Sequence, residues 1–358
     1  MADGTKIEWT DATWNPITGC AVVSPGCTNC YAMKLAGTRL KNHRSRKGLT
    51  KDTKAGPVWT GEIRFNRNWL DQPLRWTKPR MIFVCAHGDL FAEGVDEVWI
   101  DHVFAVMALA PQHTFQVLTK RPERMREYVL GMLSRRQFIA GYGALIWGGD
   151  RPDLVYETVD DAIAKPLPNV WLGVSVEDQK RADERIPILL DTPAAVRWIS
   201  AEPLLGPVTF RWASWQPWHK AGKTDHLDGL RRLDWIVAGG ESGPGARPMH
   251  PDWVRALRDQ CAAAGVPFLF KQWGNWREAC SDWRDDEGNH IEVAPDTDEG
   301  EALFDDATDR LISADGRLFT PDTLPPDTPA RLIERVTKKA AGRLLDGIEH
   351  NGFPEVRR

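Results

Sequence analysis

Runs of β-branched and aromatic residues recur along the chain, each closing on small or polar side chains. They are "MIFVCA" (81–86), "TFQVLT" (114–119), "ALIWGG" (144–149), "NVWLGVSV" (169–176), "VRWISAE" (196–202), "DWIVAGG" (234–240) and "VPFLFKQW" (266–273). Near-continuous apolar runs of this length predict parallel strands buried on both faces. Amphipathic patterns lie between many of them. "DEVWIDHVFAVMALA" (96–110) and "RPERMREYVLGML" (121–133) read as helices, the second with Pro122 in its first turn. "SVEDQKRADERIPILLD" (175–191) opens on a Ser-x-x-Asp pattern suited to capping, and "HPDWVRALRDQCAAAG" (250–265) starts on proline and stops on glycine. With a first strand in "IEWTDATW" (7–14), this makes six or seven βα units. The expected fold is α/β, a full or partial TIM-type (β/α) barrel of parallel strands, with an open doubly wound sheet as the weaker alternative. The barrel is expected over 1–273, with an insertion near 144–168. An acidic, Pro-rich extension over 274–358 is expected to pack on it and to hold one helical stretch, 328–347.

Composition narrows the class. In 358 residues, 42% are hydrophobic and 27% charged, ordinary for a soluble protein with a sizeable core. No apolar run is long enough to span a membrane and the first residues carry no secretion signal, so a cytoplasmic protein, of a bacterium or a phage-infected host, is expected. A net charge of −4 argues against a uniformly basic nucleic-acid binder, but charge is segregated. The stretch 39–54, "RLKNHRSRKGLTKDTK", is strongly basic, and 285–306 is strongly acidic. The 17 tryptophans suit both cores and stacking surfaces.

The densest chemistry lies in "GCAVVSPGCTNCYA" (19–32), where Cys20, Cys27 and Cys30 follow the first strand in a C-x6-C-x2-C spacing. Closely spaced thiols in a reducing compartment point to metal or redox chemistry. Three thiolates with no fourth nearby suit a [4Fe–4S] cluster with one iron open; a zinc site completed by a distant His or Cys, or plain buried thiols, are the alternatives. Cys85 and Cys261 read as buried structural thiols, and Cys280 has no assignment.

The opening "IEWTDATWNPITGCAVVSPGCTNCYA" resembles the phage Gp37/Gp68 family, also called the three-Cys-motif family. The likeness continues through "GDLF", "LTKRPER", "RWISAEPLLGP", "DWIVAGGESGPGARPMHPDWVR", "PFLFKQWG" and "KKAAGRLLDG", so it covers almost the whole chain. That family is similar to the radical S-adenosylmethionine (SAM) superfamily. The resemblance implies a [4Fe–4S] cluster on Cys20, Cys27 and Cys30 whose open iron takes SAM, an external electron donor, and hydrogen abstraction from a substrate. Two departures stand out. The first cysteine spacing is six where three is usual, and Asn29 occupies the place of an aromatic residue, with Tyr31 just after as the adenine platform.

Several strand ends carry polar groups that a barrel would gather above one rim. His87 and Asp89 follow the second strand, and Asp89 is the positional counterpart of the group that contacts the SAM amino end. Lys120 and Arg121 suit an anion or the SAM carboxylate. Ser175 and Glu177 follow "NVWLGV", and Gly239, Gly240 and Glu241 form a glycine-rich turn after "DWIVA", too late in the chain to inherit the superfamily's glycine–glutamate role. Glu202 and Lys271 are the expected catalytic pair. Each has a plain reading as a cap, a solvated charge or a structural ion pair. The basic stretch after the cysteine loop suits phosphates, so a nucleic-acid base or a nucleotide, in DNA, RNA or free, is the favoured substrate for modification or repair. A radical enzyme acting on a protein or small metabolite, and a zinc-binding accessory of nucleic acid without activity, are the rival classes. A protein partner is also expected.

Overall fold

A computed structural model describes residues 4–210, 228–279 and 307–355, together with two short strands at 283–284 and 290–291. Seven strands form one sheet: β1 (Ala12–Trp14), β2 (Met81–Val84), β3 (Thr114–Thr119), β4 (Val170–Ser175), β5 (Val196–Ala201), β6 (Trp235–Gly239) and β7 (Phe268–Gln272). All six pairings are parallel, and the order in the sheet is the order in the chain. A doubly wound sheet would reverse its order at a switch point. This one does not reverse and β1 does not pair with β7, so the fold is a partial (β/α) barrel. Every residue of β4 and β6 is buried, as their continuous apolar runs require.

Helix α1 (Tyr31–Gly37) packs its Ala32, Met33 and Ala36 against Leu49 and Trp59 of a separate β-hairpin region, whereas α2 (Glu97–Leu109), α3 (Pro122–Trp147), α4 (Pro152–Ile163), α5 (Gln179–Leu190) and α6 (Pro251–Ala264) cover the outer face. The starts of α2, α5 and α6 are capped by side chains that accept orphan N–H groups. Asp96 accepts from Val98 N at 2.8 Å and His250 from Asp252 N at 3.1 Å. The helix over 175–191 begins later than the Ser-x-x-Asp pattern implies. Ser175 stays in the sheet opposite Ser200, and Asp178 caps α5 through Arg181 N at 2.9 Å.

Two sequence expectations are corrected. "ALIWGG" (144–149) is no strand: its first residues complete α3, and Gly148, at φ 62°, terminates the helix. A four-residue apolar run does not distinguish strand from helix, and the glycine pair marked a helix end rather than a strand end. The insertion near 144–168 is therefore helical, the end of α3 followed by α4. The stretch 328–347 is mostly not helical. Ala330–Arg335 pairs antiparallel with Asp309–Ser313 in a four-stranded sheet, and only Lys338–Ala341 keeps helical form. Cross-strand pairing overrides helix propensity there. Most of the acidic stretch 285–306 and Cys280 lie outside the described residues.

The core divides at the sheet. Outside, Trp14, Ile82, Phe115 and Ile236 pack against the helices. Inside, an aromatic floor fills the barrel: Trp9 lies 5.3 Å from Trp198, Trp198 lies 5.3 Å from Trp235, and Trp171 lies 5.8 Å from Trp235, measured between ring centroids. These tryptophans are core, not stacking surface. A strap of late residues runs antiparallel along β7. Phe270 N donates to His350 O at 3.0 Å, Gly352 N to Phe268 O at 2.9 Å, and Trp235 Nε1 to Gly352 O at 2.7 Å. The floor closes the barrel below and leaves the C-terminal strand ends open above. No helix among the described residues is long and apolar enough to cross a membrane.

Candidate functional site

Above the aromatic floor lies a cavity of about 1250 Å³ lined by Cys20, Cys27 and Cys30 and by side chains from the strand ends. The cysteine loop is a short 3-10 turn, Pro25–Cys27, running into α1, with Cys30 at the helix N-cap. Three staples fix it. Gly26 N donates to Glu177 Oε1 at 3.4 Å, beyond β4. Arg247 Nη1 donates to Pro25 O at 3.1 Å. Asn29 Nδ2 donates to Glu241 Oε2 at 2.8 Å and to Gly245 O at 2.9 Å, beyond β6. A Cβ at Gly26 would lie 2.9 Å from Lys120 Nζ and 3.1 Å from Glu177 Cδ, so a side chain there would displace the ends of that ion pair.

The thiols are electrically coupled. Cys20 feels both Cys27 and Cys30, and burial is the main reason its pKa is pushed up to about 12, with Asp89 adding to the rise and Arg121 opposing it. Burial likewise raises the pKa of Cys30. A reactive nucleophilic cysteine needs the opposite shift. Burial raises the pKa values of Cys85 and Cys261 in the same way; what sets Cys20 and Cys30 apart is that they line the cavity. Arg121 Nη1 stands 3.6 Å from Cys20 Sγ, the nearest protein donor to that sulfur.

The sequence-designated residues meet here with distinct surroundings. Asp89 is buried and fully engaged: it accepts from Phe91 N (2.9 Å), Thr119 Oγ1 (2.8 Å), Lys120 N (3.2 Å) and Arg121 Nη1 (2.9 Å). Arg121 also binds Glu93 at 2.7 Å. Burial opposes its charge, but Asp89, Cys20 and Glu93 outweigh that and raise its pKa. Glu177 is fully buried between Lys120 (3.3 Å) and Arg185 (3.0 Å); burial would raise its pKa, but these two cations hold it below the usual range. Ser175 lines the cavity, and its carbonyl accepts from Arg185 at 2.8 Å. Glu202 and Lys271 form an ion pair at 2.9 Å inside the cavity, with Ser200 Oγ 3.4 Å from the carboxylate. Tyr31 presents its ring to the cavity while its hydroxyl donates to Ala86 O.

The glycine-rich turn divides differently. Gly240 is required by packing, since a Cβ would come 1.9 Å from Trp273 O. A register shift between β6 and β7 at Ala238/Gly239 turns the chain there. Gly239 closely approaches Glu202 Oε1, which a Cβ would meet at 2.8 Å. Glu241 accepts from one guanidinium edge of Arg247, from Nη2 at 2.6 Å and from Nε at 2.9 Å. Burial opposes its charge, but Arg247 and Asn29 lower its pKa. Cys85 and Cys261 are buried, Cys85 just beyond β2 and Cys261 in α6.

Sequence reasoning missed Asn29 and Arg247 as staples; it placed His87 at a strand end facing the rim, where the cavity has it, but did not separate Arg46 from the rest of the basic run. Asn29 carried a signal: it stands where the resemblance expects an aromatic residue. Arg46 carried none, being one cation in a basic run. Most of that run is exposed, with Lys41 paired to Asp52 at 2.6 Å, whereas Arg46 is buried.

The architecture defines an open (β/α) barrel whose mouth is lined by three coupled thiols and by buried charges. Over residues 4–354 the chain matches the model of a family described as a protein of unknown function (DUF5131), and it belongs to that family. No curated protein and no solved structure matches it.

Proposed function

We propose that the protein is a radical SAM enzyme that holds a [4Fe–4S] cluster on Cys20, Cys27 and Cys30 and acts on a nucleic-acid base or nucleotide. The observation that carries this reading is that three cysteines of one loop line a cavity at the C-terminal mouth of a parallel barrel. The donor set fits the cluster. All three ligands are soft, their loop is fixed before any iron binds, and Arg121 offsets the charge that coordination adds at Cys20. Among the described residues no three His, Cys, Asp or Glu side chains are grouped as ligands of one metal ion. A four-iron cluster spreads its cysteines over separate irons, so it tolerates wider spacing than a single zinc. The cavity exceeds the volume of about 300–1,000 Å³ that takes one small ligand, leaving space for a cofactor and a substrate together.

When bound, the cluster supplies the electron that splits SAM into methionine and a 5′-deoxyadenosyl radical. This chain's residues do the rest. Asp89 orients Arg121 beside Cys20, and Glu177 orients Lys120 toward the loop. Lys271 and Glu202, paired at 2.9 Å in the same cavity, would serve to deliver or accept a proton. The test is anaerobic reconstitution with iron and sulfide, then dithionite and SAM. Iron and sulfide bound to the protein together with 5′-deoxyadenosine release are expected, and both are expected to disappear in Cys20→Ala, Cys27→Ala and Cys30→Ala. Zinc without sulfide, or cleavage retained in any of the three variants, would defeat the proposal.

A further inference from the structure

Arg46 is 3% exposed and lines the same cavity as the thiols. Its guanidinium donates to Ser45 O at 3.2 Å, to Ser45 Oγ at 2.7 Å and to His87 Nδ1. Its centre sits 6.0 Å from the ring of Trp69. None of these partners is an anion, and no carboxylate among the described residues pairs with it. The nearest like charge, Arg64, disfavours it further. The other buried or half-buried cations of the cavity each have a carboxylate: Lys120 has Glu177, Arg121 has Asp89, and Lys271 has Glu202. A guanidinium buried without a counter-charge is costly, and a bound anion would supply the missing charge.

His87 completes the site. Its Nδ1 faces the always-protonated Arg46, so Nδ1 accepts and the ring proton sits on Nε2. Burial and Arg46 push its pKa down to about 4, which keeps the ring neutral. Nε2–H has no partner among the described residues and forms a second donor on the cavity wall. Backbone contacts hold the geometry: Thr18 Oγ1 donates to Ser45 O at 2.8 Å, and Arg64 donates to Arg44 O and Lys47 O, both at 2.7 Å. Tyr31 adjoins it, its ring 6.1 Å from that of His87 and open to the cavity.

We infer that Arg46 and His87 seat a phosphoryl group of the substrate, with Tyr31 beside it to stack an attached base. The substrate is then a nucleotide unit, free or within a nucleic-acid strand. The inference rests on the reading of this cavity as the active site, but it concerns binding and not the cluster. It is tested by calorimetric titration of the full-length protein with deoxynucleoside 5′-monophosphates, the matching nucleosides, inorganic phosphate, a short single-stranded oligonucleotide, and SAM. Monophosphates are expected to bind roughly tenfold to a hundredfold more tightly than nucleosides. Arg46→Gln is expected to erase that difference, Arg46→Lys to keep part of it, and Cys20→Ala to leave it intact. Tighter binding of the oligonucleotide with the same dependence on Arg46 would assign the phosphoryl group to a strand; tighter binding of the monophosphate would assign it to a free nucleotide. Nucleotides binding the wild type no better than nucleosides would overturn the inference, and that comparison stands whether or not Arg46→Gln folds. So would an Arg46→Gln protein that loses SAM and keeps the nucleotide difference. Nucleotide binding through Arg46 in a protein that takes up no iron would sink only the radical reading.

Discussion

Burial of the Cys20 thiol has a kinetic consequence that can be measured without any cluster. Its pKa is pushed up to about 12, against about 8.5 for a free cysteine. At pH 8.5 a free thiol is half ionised, whereas Cys20 is ionised in roughly one molecule in three thousand. That lowers the reactive fraction by about three orders of magnitude. The more basic thiolate is also more nucleophilic, and a Brønsted slope of about 0.4–0.5 returns a factor of roughly 25 to 60. The net expectation is alkylation about thirty to sixty times slower than in the denatured chain. The assay is timed iodoacetamide labelling of iron-free, reduced protein, with Cys20 quantified by peptide mass spectrometry from pH 8 to 11. In the native protein the Cys20 rate should climb about tenfold per pH unit across that range. In denaturant it should level off above pH 9. Arg121→Gln, which removes the opposing cation, should slow native labelling further. A native profile that levels near pH 9 would show an ordinary solvated thiol and refute the burial of Cys20.

Two further outcomes concern stability, both read by urea denaturation. Arg121→Met strands the buried Asp89 charge and should cost about 3–5 kcal/mol. Asp89→Asn should cost less, roughly 1–3 kcal/mol, because Arg121 keeps Glu93; equal small losses below 1 kcal/mol would contradict this. Trp235→Ala empties the barrel floor and frees the strap residue Gly352, so a loss of about 3–5 kcal/mol is expected, and a loss near zero would mean the floor is not packed as described.

The parallel strands were legible because burial on both faces writes itself as unbroken apolar runs. Trp235–Gly239 and Val170–Ser175 are the plainest cases. "ALIWGG" misled because four apolar residues before a glycine pair are common to a strand end and to a capped helix end. Ala330–Arg335 misled because its partner strand is supplied from outside its own sequence window. Within the site, thiol spacing was visible locally, and the strand-end rule gathered Glu202 with Lys271 and Asp89 with Arg121. What the spacing could not reveal is which charges satisfy one another. Asp89 is saturated and Arg46 is bare, yet both are single charged letters in polar stretches. That distinction arises only from contacts between distant segments.

The staples of the cysteine loop set an order of events in time. Asn29 and Glu241 are 212 residues apart, and Arg247 and Pro25 are 222 apart. While the chain is being synthesised the cysteines emerge early, but two of the three staples of their loop, those to Glu241 and from Arg247, cannot form until the sixth strand and the turn beyond it have been made. Closing loops of that length is an entropic cost met by the folding of the whole sheet, not by metal. If the loop holds the proposed cluster, iron would therefore be inserted into a finished protein. Its loss through oxidation would leave a folded shell ready to be refilled, where a metal-nucleated domain would fall apart.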